Sequence, residues 1–503
     1  MPFPRASGIL LHPTSLPGPH GIGDLGPDAS RWLSFLAASG QQLWQVLPLS
    51  PTGFADSPYQ SFSAFAANPN LISPERLLED GLLTRAELDA APRFPDERVD
   101  FGPVIDWKLQ LLDAAHERFR AGVAPALRAE AAAFAARESA WLDDFALFMA
   151  LKQAHGGASW TTWEPALAHR DPAALGAARC RLAPEVNAQR FRQFMGFRQW
   201  ARVRDEAHAH GIRIIGDVPI FVAHDSADVW SHPELFQLDR SGAPTVVAGV
   251  PPDYFSTTGQ RWGNPLYRWE VLEREGYAWW LARLRATLAM VDIVRFDHFR
   301  GFEACWEIPA ADDTAEHGRW VPGPGARFFD ALRANLGELP IIAEDLGEIT
   351  EAVLTLRDRF GLPGMIVLQF AFGAGTNDRF LPHLHVSNAV VYSGTHDNDT
   401  SRGWYANAPE RERDFVRRYL GCDGSDIAWD LVRAAFLSVA DQALVPLQDV
   451  LDLGSDARMN LPGRAGGNWA WRFRWDQLND GHRDRLKDLS ALSARGTTTQ
   501  PQA

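Results

Sequence analysis

The sequence has 503 residues, of which 46% are hydrophobic, and a formal net charge of −14, which argues against nucleic acid or an anionic membrane surface as its main partner. Three scattered cysteines, Cys180, Cys305 and Cys422, argue against a disulfide framework or a structural zinc site. The chain shows no signal peptide and no stretch long enough to span a bilayer, so we expect a soluble cytoplasmic protein.

The first distinctive stretch, "GPHGIGDLG" at residues 18–26, has the G-x-G-x-x-G spacing of a dinucleotide-binding turn. Nine residues, three of them proline, separate Leu11 at the end of an apolar run from Gly21, whereas a dinucleotide turn follows its strand directly. The segment "GQQLWQVLPLS" also lacks the acidic residue that binds the ribose. The pattern therefore predicts a tight loop that leads into a helix near Asp28.

Eight short apolar runs are predicted strands, and helical patterns precede several of them. Near-continuous apolar strands that alternate with helices indicate a parallel sheet covered on both faces. Eight such strands favour a (β/α)8 TIM barrel, and a doubly wound open sheet is the alternative. The predicted strands are residues 9–11, 43–49, 212–217, 291–297, 340–345, 365–370, 389–392 and 443–448.

Three long segments interrupt the predicted barrel and are expected to be mostly helical. They follow strands 2, 3 and 7 and cover about residues 50–205, 218–275 and 398–440. All three leave from carboxyl ends of strands, where the active site of a barrel lies, so they are expected to form the walls of a cleft. Residues 1–488 are predicted to be one catalytic domain, and residues 489–503 are expected to be a disordered tail.

The fourth predicted strand carries two charged side chains in "VDIVRFDHFRG". Arg295 and Asp297 are two residues apart, so on a strand they point to the same face. A carboxylate beside an arginine is expected to have a low pKa and to stay ionised, as a nucleophile requires. A structural ion pair inside the barrel is the alternative.

Three further predicted strands end in acidic side chains. Glu344 and Asp345 end the fifth, and strand alternation does not decide which of them faces the interior. His396 and Asp397 follow the seventh, and Asp217 ends the third. Each of these alone is equally compatible with a helix cap or a turn. Because the four strand ends converge at one barrel mouth, together they indicate a functional site.

A pair of carboxyl groups, one ionised and one protonated, is the requirement for glycoside chemistry. A metal site is the rival use of Asp and His clusters. His383 and His385 have no carboxylates at a matching spacing, so we expect them to be surface residues, and neither a metal nor an organic cofactor is expected.

Long motifs along nearly the whole chain resemble the amylomaltases, which are bacterial 4-α-glucanotransferases, or disproportionating enzymes, of the α-amylase-like superfamily. The matching stretches occur in the order typical of that family. They are "HPTSLPGPHGIGDLG", "SPYQSFSAFAANP", "GDVPIFV", "GVPPDYFSTTGQRWGNPLY", "RFDHFRGF", "IAEDLG", "SGTHDNDT" and "RMNLPG…GNWAWR".

The resemblance implies a retaining transfer of α-1,4-glucan segments to glucose or to another glucan. Asp297 is expected to be the nucleophile, Glu344 the general acid/base, and Asp397 the residue that holds the 2- and 3-hydroxyls of the reacting glucose. The residues expected to bind substrate are Arg295, His298, His396, Asp217, Tyr59, Asp253, Gln260, Trp262, Phe370 and Asn468. Taken alone, Tyr59 and Trp262 are equally compatible with packing, and His298 is more typical of a core histidine.

The resemblance also implies that no β-sandwich follows the barrel. The sequence departs from the family at Phe54 and Ala55, where tyrosine and glycine are expected. That tyrosine belongs to a secondary glucan-binding groove in some relatives, and phenylalanine can stack on a sugar but lacks the hydroxyl. Two other functions stay open, a hydrolase with the same carboxylates and a wetter site, and a glucan-binding protein without activity.

Overall fold

The computed structural model describes residues 3–252, 256–373, 375–464 and 466–496. Asp253 and residues 497–503 therefore lie outside the described residues. The described residues form twelve strands, which are β1 (Ala6–Leu10), β2 (Leu43–Gln45), β3 (Arg213–Pro219), β4 (Val246–Val250), β5 (Gln260–Pro265), β6 (Ile293–Asp297), β7 (Ala304–Pro309), β8 (Arg319–Pro322), β9 (Ile341–Ala343), β10 (Gly364–Val367), β11 (Ala389–Tyr392) and β12 (Gln442–Pro446).

Eight of these strands close into one barrel, in the order β1-β12-β11-β10-β9-β6-β3-β2. Every neighbouring pair is parallel, and β1 pairs with both β12 and β2. The (β/α)8 barrel is thus confirmed and the open sheet is excluded. Each predicted strand overlaps an observed barrel strand, although the observed strands differ by a few residues at their ends. Leu43, Ile215, Ile293, Val390 and Leu444 belong to one buried cluster with residues from these strands, so their burial explains the near-continuous apolar runs.

Helices surround the barrel and build most of the inserts. Their bounds are α1 (Pro27–Ala38), α2 (Pro74–Glu79), α3 (Arg85–Asp89), α4 (Phe101–Ala121), α5 (Pro125–Arg137), α6 (Ser139–Ala154), α7 (Pro165–Ala168), α8 (Pro172–Arg181), α9 (Ala183–Ala209), α10 (Ala227–Ser231), α11 (Trp269–Arg274), α12 (Ala278–Met290), α13 (Ala326–Leu336), α14 (Glu351–Arg359), α15 (Ser401–Asn407), α16 (Glu410–Leu420), α17 (Ile427–Leu437), α18 (Leu447–Val450) and α19 (Asp480–Leu492). Among the described residues, none of these helices is long and apolar enough to cross a membrane.

The inserts differ in two respects from the prediction. The segment 218–275 was expected to be mostly helical, but it contributes β4 and β5 to a four-stranded antiparallel sheet of order β5-β4-β7-β8. β7 and β8 come from a further excursion after the fourth barrel strand, which the sequence did not reveal because the pairing joins segments far apart in the chain. The first insert also has no boundary near residue 205, since α9 runs unbroken from Ala183 to Ala209.

The tail predicted to be disordered from residue 489 is ordered at its start. α19 continues to Leu492, and Arg495 is fully buried. The Arg495 guanidinium donates hydrogen bonds to backbone carbonyls that include those of Ala6, Phe436 and Asp441. The polar composition of the tail predicts disorder. A single buried arginine nevertheless holds this part of the chain in place, because its guanidinium can donate hydrogen bonds to several carbonyl groups at once.

The two histidines predicted to lie at the surface, His383 and His385, differ in their burial. His383 is exposed, but His385 is buried, with Nδ1 2.7 Å from Ser438 Oγ and Nε2 2.8 Å from the Phe380 carbonyl oxygen, so its expected surface position is wrong.

The loop at residues 18–26 is held by its own side chains. Gly21 has a φ of 75°, a left-handed conformation that favours glycine. Asp24 accepts a hydrogen bond of 2.9 Å from the Gly26 amide and lies 3.6 Å from the buried Lys108 ammonium. α1 starts directly afterwards with Pro27 in its first turn. The glycines thus form the predicted tight loop into α1.

Candidate functional site

Most side chains of the predicted site come from carboxyl ends of barrel strands. Asp217 lies on β3, Arg295 and Asp297 lie on β6, and Glu344 follows β9 directly. The parallel register places Asp217 opposite Arg295 on the neighbouring strand. The barrel therefore brings these four charged groups together, as the strand ends predict.

Arg295 is the centre of this charged cluster, and its side chain is only 2% exposed. Its Nη1 lies 2.7 and 2.6 Å from the two oxygens of Asp217 and 3.2 Å from Asp297 Oδ1. Its Nη2 lies 3.2 Å from Glu344 Oε2. Burial opposes the charge of Arg295, but Asp217, Glu344 and Asp297 outweigh burial and hold the pKa of the guanidinium well above its ordinary value. The Arg295 guanidinium therefore contacts three carboxyl groups at once.

The pKa of Asp297 differs from the expectation that Arg295 keeps it low. Desolvation and, next, the charge of Glu344 raise the pKa of Asp297 well above its ordinary value, and the opposing effect of Arg295 is smaller. The physical reason is that Arg295 is shared, with its shortest contacts directed to Asp217. Asp297 thus retains a proton more strongly than an isolated aspartate does.

The structure also decides which acid at the end of the fifth barrel strand faces the cluster. Glu344 Oε2 accepts a hydrogen bond of 2.5 Å from the backbone amide of His298. Asp345 is completely buried and accepts hydrogen bonds of 2.6 Å from Arg357 and 2.8 Å from the Met365 amide. Glu344 therefore belongs to the site, whereas Asp345 anchors the strand end that carries it.

Tyr59 joins two sides of the site through its hydroxyl group. The hydroxyl lies 2.8 Å from Asp217 Oδ2 and 2.8 Å from His396 Nε2. Its ring is stacked on the His396 ring, with a centroid distance of 5.4 Å, and contacts the Trp469 ring at 5.6 Å. Burial and the charge of Asp217 raise the pKa of Tyr59 well above its ordinary value, so the hydroxyl keeps its proton.

Asp397 is the most accessible of the acids, with a side chain that is 41% exposed. Its Oδ1 accepts a hydrogen bond of 2.6 Å from Asn460, and its Oδ2 lies 3.3 Å from His396 Nε2. Arg458 donates a hydrogen bond of 2.5 Å to the Asp397 carbonyl oxygen. The sequence reasoning did not select Asn460, Arg458 or Trp469, although the family motif "RMNLPG…GNWAWR" contains all three.

His298 lies on the opposite side of Glu344, in the left-handed conformation with φ 55°. Such a conformation in a residue other than glycine is strained and is common at functional sites. Its ring meets the Trp262 ring edge-on at 4.8 Å, and Trp262 Nε1 lies 3.2 Å from Gln260 Oε1. Burial lowers the pKa of His298 to about 3, so the ring is neutral. Its buried Nε2 has no hydrogen-bond partner among the described residues and is free for a ligand hydroxyl.

The side chains of Phe370 and Asn468 have their hydrogen bonds and ring contacts with residues outside this cluster. Phe370 is 37% exposed and contacts Phe380. The Asn468 amide bonds to backbone atoms of its own loop, at Leu461 and Arg464. Asp253 lies outside the described residues.

Comparisons with known proteins give one consistent family. A family model described as 4-alpha-glucanotransferase matches residues 11–478. The 4-alpha-glucanotransferase of Thermus thermophilus is 54% identical, covering 98% of this chain and 100% of its own length. The corresponding protein of Synechocystis sp. is 53% identical, with 98% of each chain covered. The solved structure of amylomaltase from Streptococcus agalactiae in complex with acarbose superposes with a TM-score of 0.95, at 37% identity, over 98% of this chain and 100% of that chain.

Proposed function

The chain belongs to the 4-alpha-glucanotransferase family, and we propose that it transfers a segment of an α-1,4-glucan to the 4-hydroxyl of an acceptor through Asp297, Glu344 and Asp397. The observation that carries this assignment of residues is the contact of Asp297 and Glu344 with opposite nitrogens of Arg295, each at 3.2 Å. Two carboxyl groups that contact the same guanidinium are candidates for the pair of a retaining mechanism, in which they lie about 5–5.5 Å apart.

In the first step, an oxygen of ionised Asp297 attacks the anomeric carbon of the donor. Glu344 gives its proton to the glycosidic oxygen, so the bond to the leaving glucan breaks while the bond to Asp297 forms. Glu344 supplies the single proton that this step needs, and Arg295 stabilises the ionised form of Asp297.

In the second step, Glu344 removes the proton from the 4-hydroxyl of the acceptor. The acceptor oxygen attacks the anomeric carbon, and the ester bond to Asp297 breaks, which restores both carboxyl groups. Two inversions at one carbon retain the α configuration. The acceptor must compete with water, and the inserts that leave the carboxyl ends of the strands provide walls that limit water access.

The substrate contacts follow from the accessible polar groups of the site. Asp397 is proposed to hold the 2- and 3-hydroxyls of the reacting glucose, since its carboxylate is exposed and fixed by Asn460. His298 and His396 present neighbouring hydrogen-bonding groups, and Tyr59 presents its ring. The other residues proposed to line the cleft are Asp217, Asp253, Gln260, Trp262, Phe370 and Asn468.

Incubation with maltotriose tests this function. A transferase produces glucose and a ladder of longer maltodextrins, with little increase in total reducing ends. A hydrolase raises the number of reducing ends in step with substrate loss, and this outcome would exclude transfer as the main activity. Asp297→Asn and Glu344→Gln should each lower kcat at least ~1,000-fold. Equal glucose release by the Asp297→Asn variant and the unmodified protein would exclude Asp297 as nucleophile.

Acarbose provides a second probe, since it is the ligand in the Streptococcus agalactiae amylomaltase structure. We expect it to compete with maltotriose and to bind more weakly to an Asp397→Asn variant. We also propose a cytoplasmic location, supported by the three cysteines, which are all unpaired in the structure. Fractionation of the source cells tests this location.

A further inference from the structure

A small cavity lies beside His396. It has a volume of about 20 Å3, room for about one water molecule, between the loop after β1 and the segment after β12. His12, Ser15, His396 and Gln448 are among its lining residues. His12, Ser15 and His396 are each at least 95% buried. The sequence reasoning assigned no role to His12 or Ser15.

Three buried polar atoms of these residues have no hydrogen-bond partner within the described part of the chain. They are Nδ1 of His12, Oγ of Ser15 and Nδ1 of His396. A buried polar group without a partner costs about 1–3 kcal/mol, so three in one cavity need an explanation. Most of the other lining residues are apolar, among them Leu47, Met459 and Trp471, so these three atoms are the available partners for a bound water, which typically makes about three hydrogen bonds.

The hydrogen bonds on the other side of His396 determine where its proton lies. Both oxygens of Asp217 accept short hydrogen bonds from Arg295, so Asp217 acts as the acceptor in this network. The single proton of the Tyr59 hydroxyl is therefore donated to Asp217. His396 Nε2 must then donate its proton towards the Tyr59 oxygen at 2.8 Å and Asp397 Oδ2 at 3.3 Å.

In the tautomer with its proton on Nε2, Nδ1 of His396 can only accept a hydrogen bond. The groups that face His396 are Tyr59, Asp397 and Trp469 on one side and His12 on the other. Burial and the neighbouring His396 lower the pKa of His12 to about 3, so His12 is neutral and adds no competing charge. The donor for His396 Nδ1 must therefore come through the cavity.

We propose that His12 and Ser15 are positioning residues that hold His396, through water bound in this cavity, in the tautomer with its proton on Nε2. This inference rests on the proposed role of His396 in binding the reacting glucose. The fixed tautomer aligns the Nε2–H group with Asp397 and Tyr59 before substrate arrives, so less reorganisation is needed in the transition state.

The test uses His12→Phe, which keeps a ring but removes its nitrogens, and His12→Asn, whose amide replaces Nδ1. We expect His12→Phe to lower kcat for maltotriose about tenfold with a smaller change in KM, and His12→Asn to restore most of the loss. Ser15→Ala should lower kcat about threefold. In histidine-labelled protein, the 15N shifts of His396 should report a single Nε2–H tautomer, and His12→Phe should give a mixture of tautomers.

His385→Phe is the matched control, since His385 is also buried but has its own hydrogen-bond partners and lies apart from the cavity. Unchanged 15N shifts of His396 in both His12→Phe and Ser15→Ala would overturn the inference, whatever happens to kcat. Loss of kcat to the same extent in His385→Phe would show a merely structural effect and would also overturn it. If His396→Asn leaves transfer unchanged, the proposed role of His396 in substrate binding is wrong. The 15N shifts of His396 still test separately whether His12 and Ser15 fix its tautomer.

Discussion

Arg295 is bound more closely to Asp217 than to Asp297. Its Nη1 is 2.6 Å from Asp217 Oδ2 but 3.2 Å from Asp297 Oδ1. The completely buried carboxylate of Asp217 therefore receives the strongest contacts of the arginine, and the more accessible carboxyl of Asp297 receives a weaker one. Desolvation and, next, the charge of Glu344 raise the pKa of Asp297, and this weaker contact with the guanidinium does not offset them.

Replacing Arg295 with lysine should move the acid limb of the pH profile to higher pH. Arg295 lowers the pKa of Asp297, so weakening this contact raises that pKa further, and a higher pH is needed to ionise the nucleophile. A lysine ammonium cannot contact three carboxyl groups in the geometry of a guanidinium, so kcat should also fall about 100-fold. The measurement is kcat/KM for maltotriose across pH. Arg402→Lys, at an exposed arginine, is the control, and an unshifted acid limb in Arg295→Lys would contradict the prediction.

The Tyr59→Phe substitution tests the hydroxyl that joins Asp217 to His396. It keeps the ring stacked on His396 but leaves both polar partners without this contact. We expect kcat to fall about 10- to 150-fold with a small change in KM, since losing one hydrogen bond to a charged group costs about 1.5–3 kcal/mol. Tyr405→Phe, which removes a hydroxyl bound to Arg417, should leave kcat unchanged. Equal activity of Tyr59→Phe and unmodified protein would show that the hydroxyl has no part in the reaction.

Asn460 and Asn468 provide a matched pair in one segment. The Asn460 side chain donates a hydrogen bond of 2.6 Å to Asp397 Oδ1, whereas the Asn468 side chain forms hydrogen bonds with backbone atoms of its own loop. Asn460→Ala should lower kcat about 100-fold, because Asp397 would lose the group that orients its carboxylate. Asn468→Ala should have a much smaller effect. Transfer rates from maltotriose and binding of acarbose check both variants, and a larger effect at Asn468 would reverse this assignment.

The barrel strands could be predicted because their signal is local. Strands buried on both faces need continuous apolar runs, and the acids of the site stand where those runs end. The antiparallel sheet gave no such signal, since β4 pairs with β7 across about 50 residues of chain. Strand pairing over such distances depends on tertiary contacts that periodicity does not record.

The residues of the site likewise divide into those that could be predicted from the sequence and those that could not. Asp297, Glu344 and Asp397 follow strands and could be located from the sequence, but Asn460 and Trp469 come from a segment that folds back over the barrel mouth. Only the family motif marked that segment. The sharing of Arg295 among three carboxyls depends on distances across neighbouring strands, so the raised pKa of Asp297 could not be foreseen from the spacing of Arg295 and Asp297.

Asp228 gives a prediction about stability and pH. It is 96% buried, and its Oδ2 accepts a hydrogen bond of 2.8 Å from the Ala64 amide in the loop that follows Tyr59. Burial raises the pKa of Asp228 from 3.8 to about 6. The folded protein therefore holds this proton more tightly than the unfolded chain does. Its contribution to stability is full below about pH 4 and is lost as the pH rises through about 6.

Asp228→Asn should remove this loss, because an asparagine oxygen can still accept the Ala64 hydrogen bond without a charge. The difference between pKa values of 3.8 and about 6 corresponds to at most about 3 kcal/mol. We expect the variant to resist urea better than the unmodified protein at about pH 8 and equally well at about pH 4. Asp89→Asn, at an exposed position, should change neither midpoint. A variant that is less stable at pH 8 would show that the Asp228 charge stabilises the fold, which would reverse the sign of the effect.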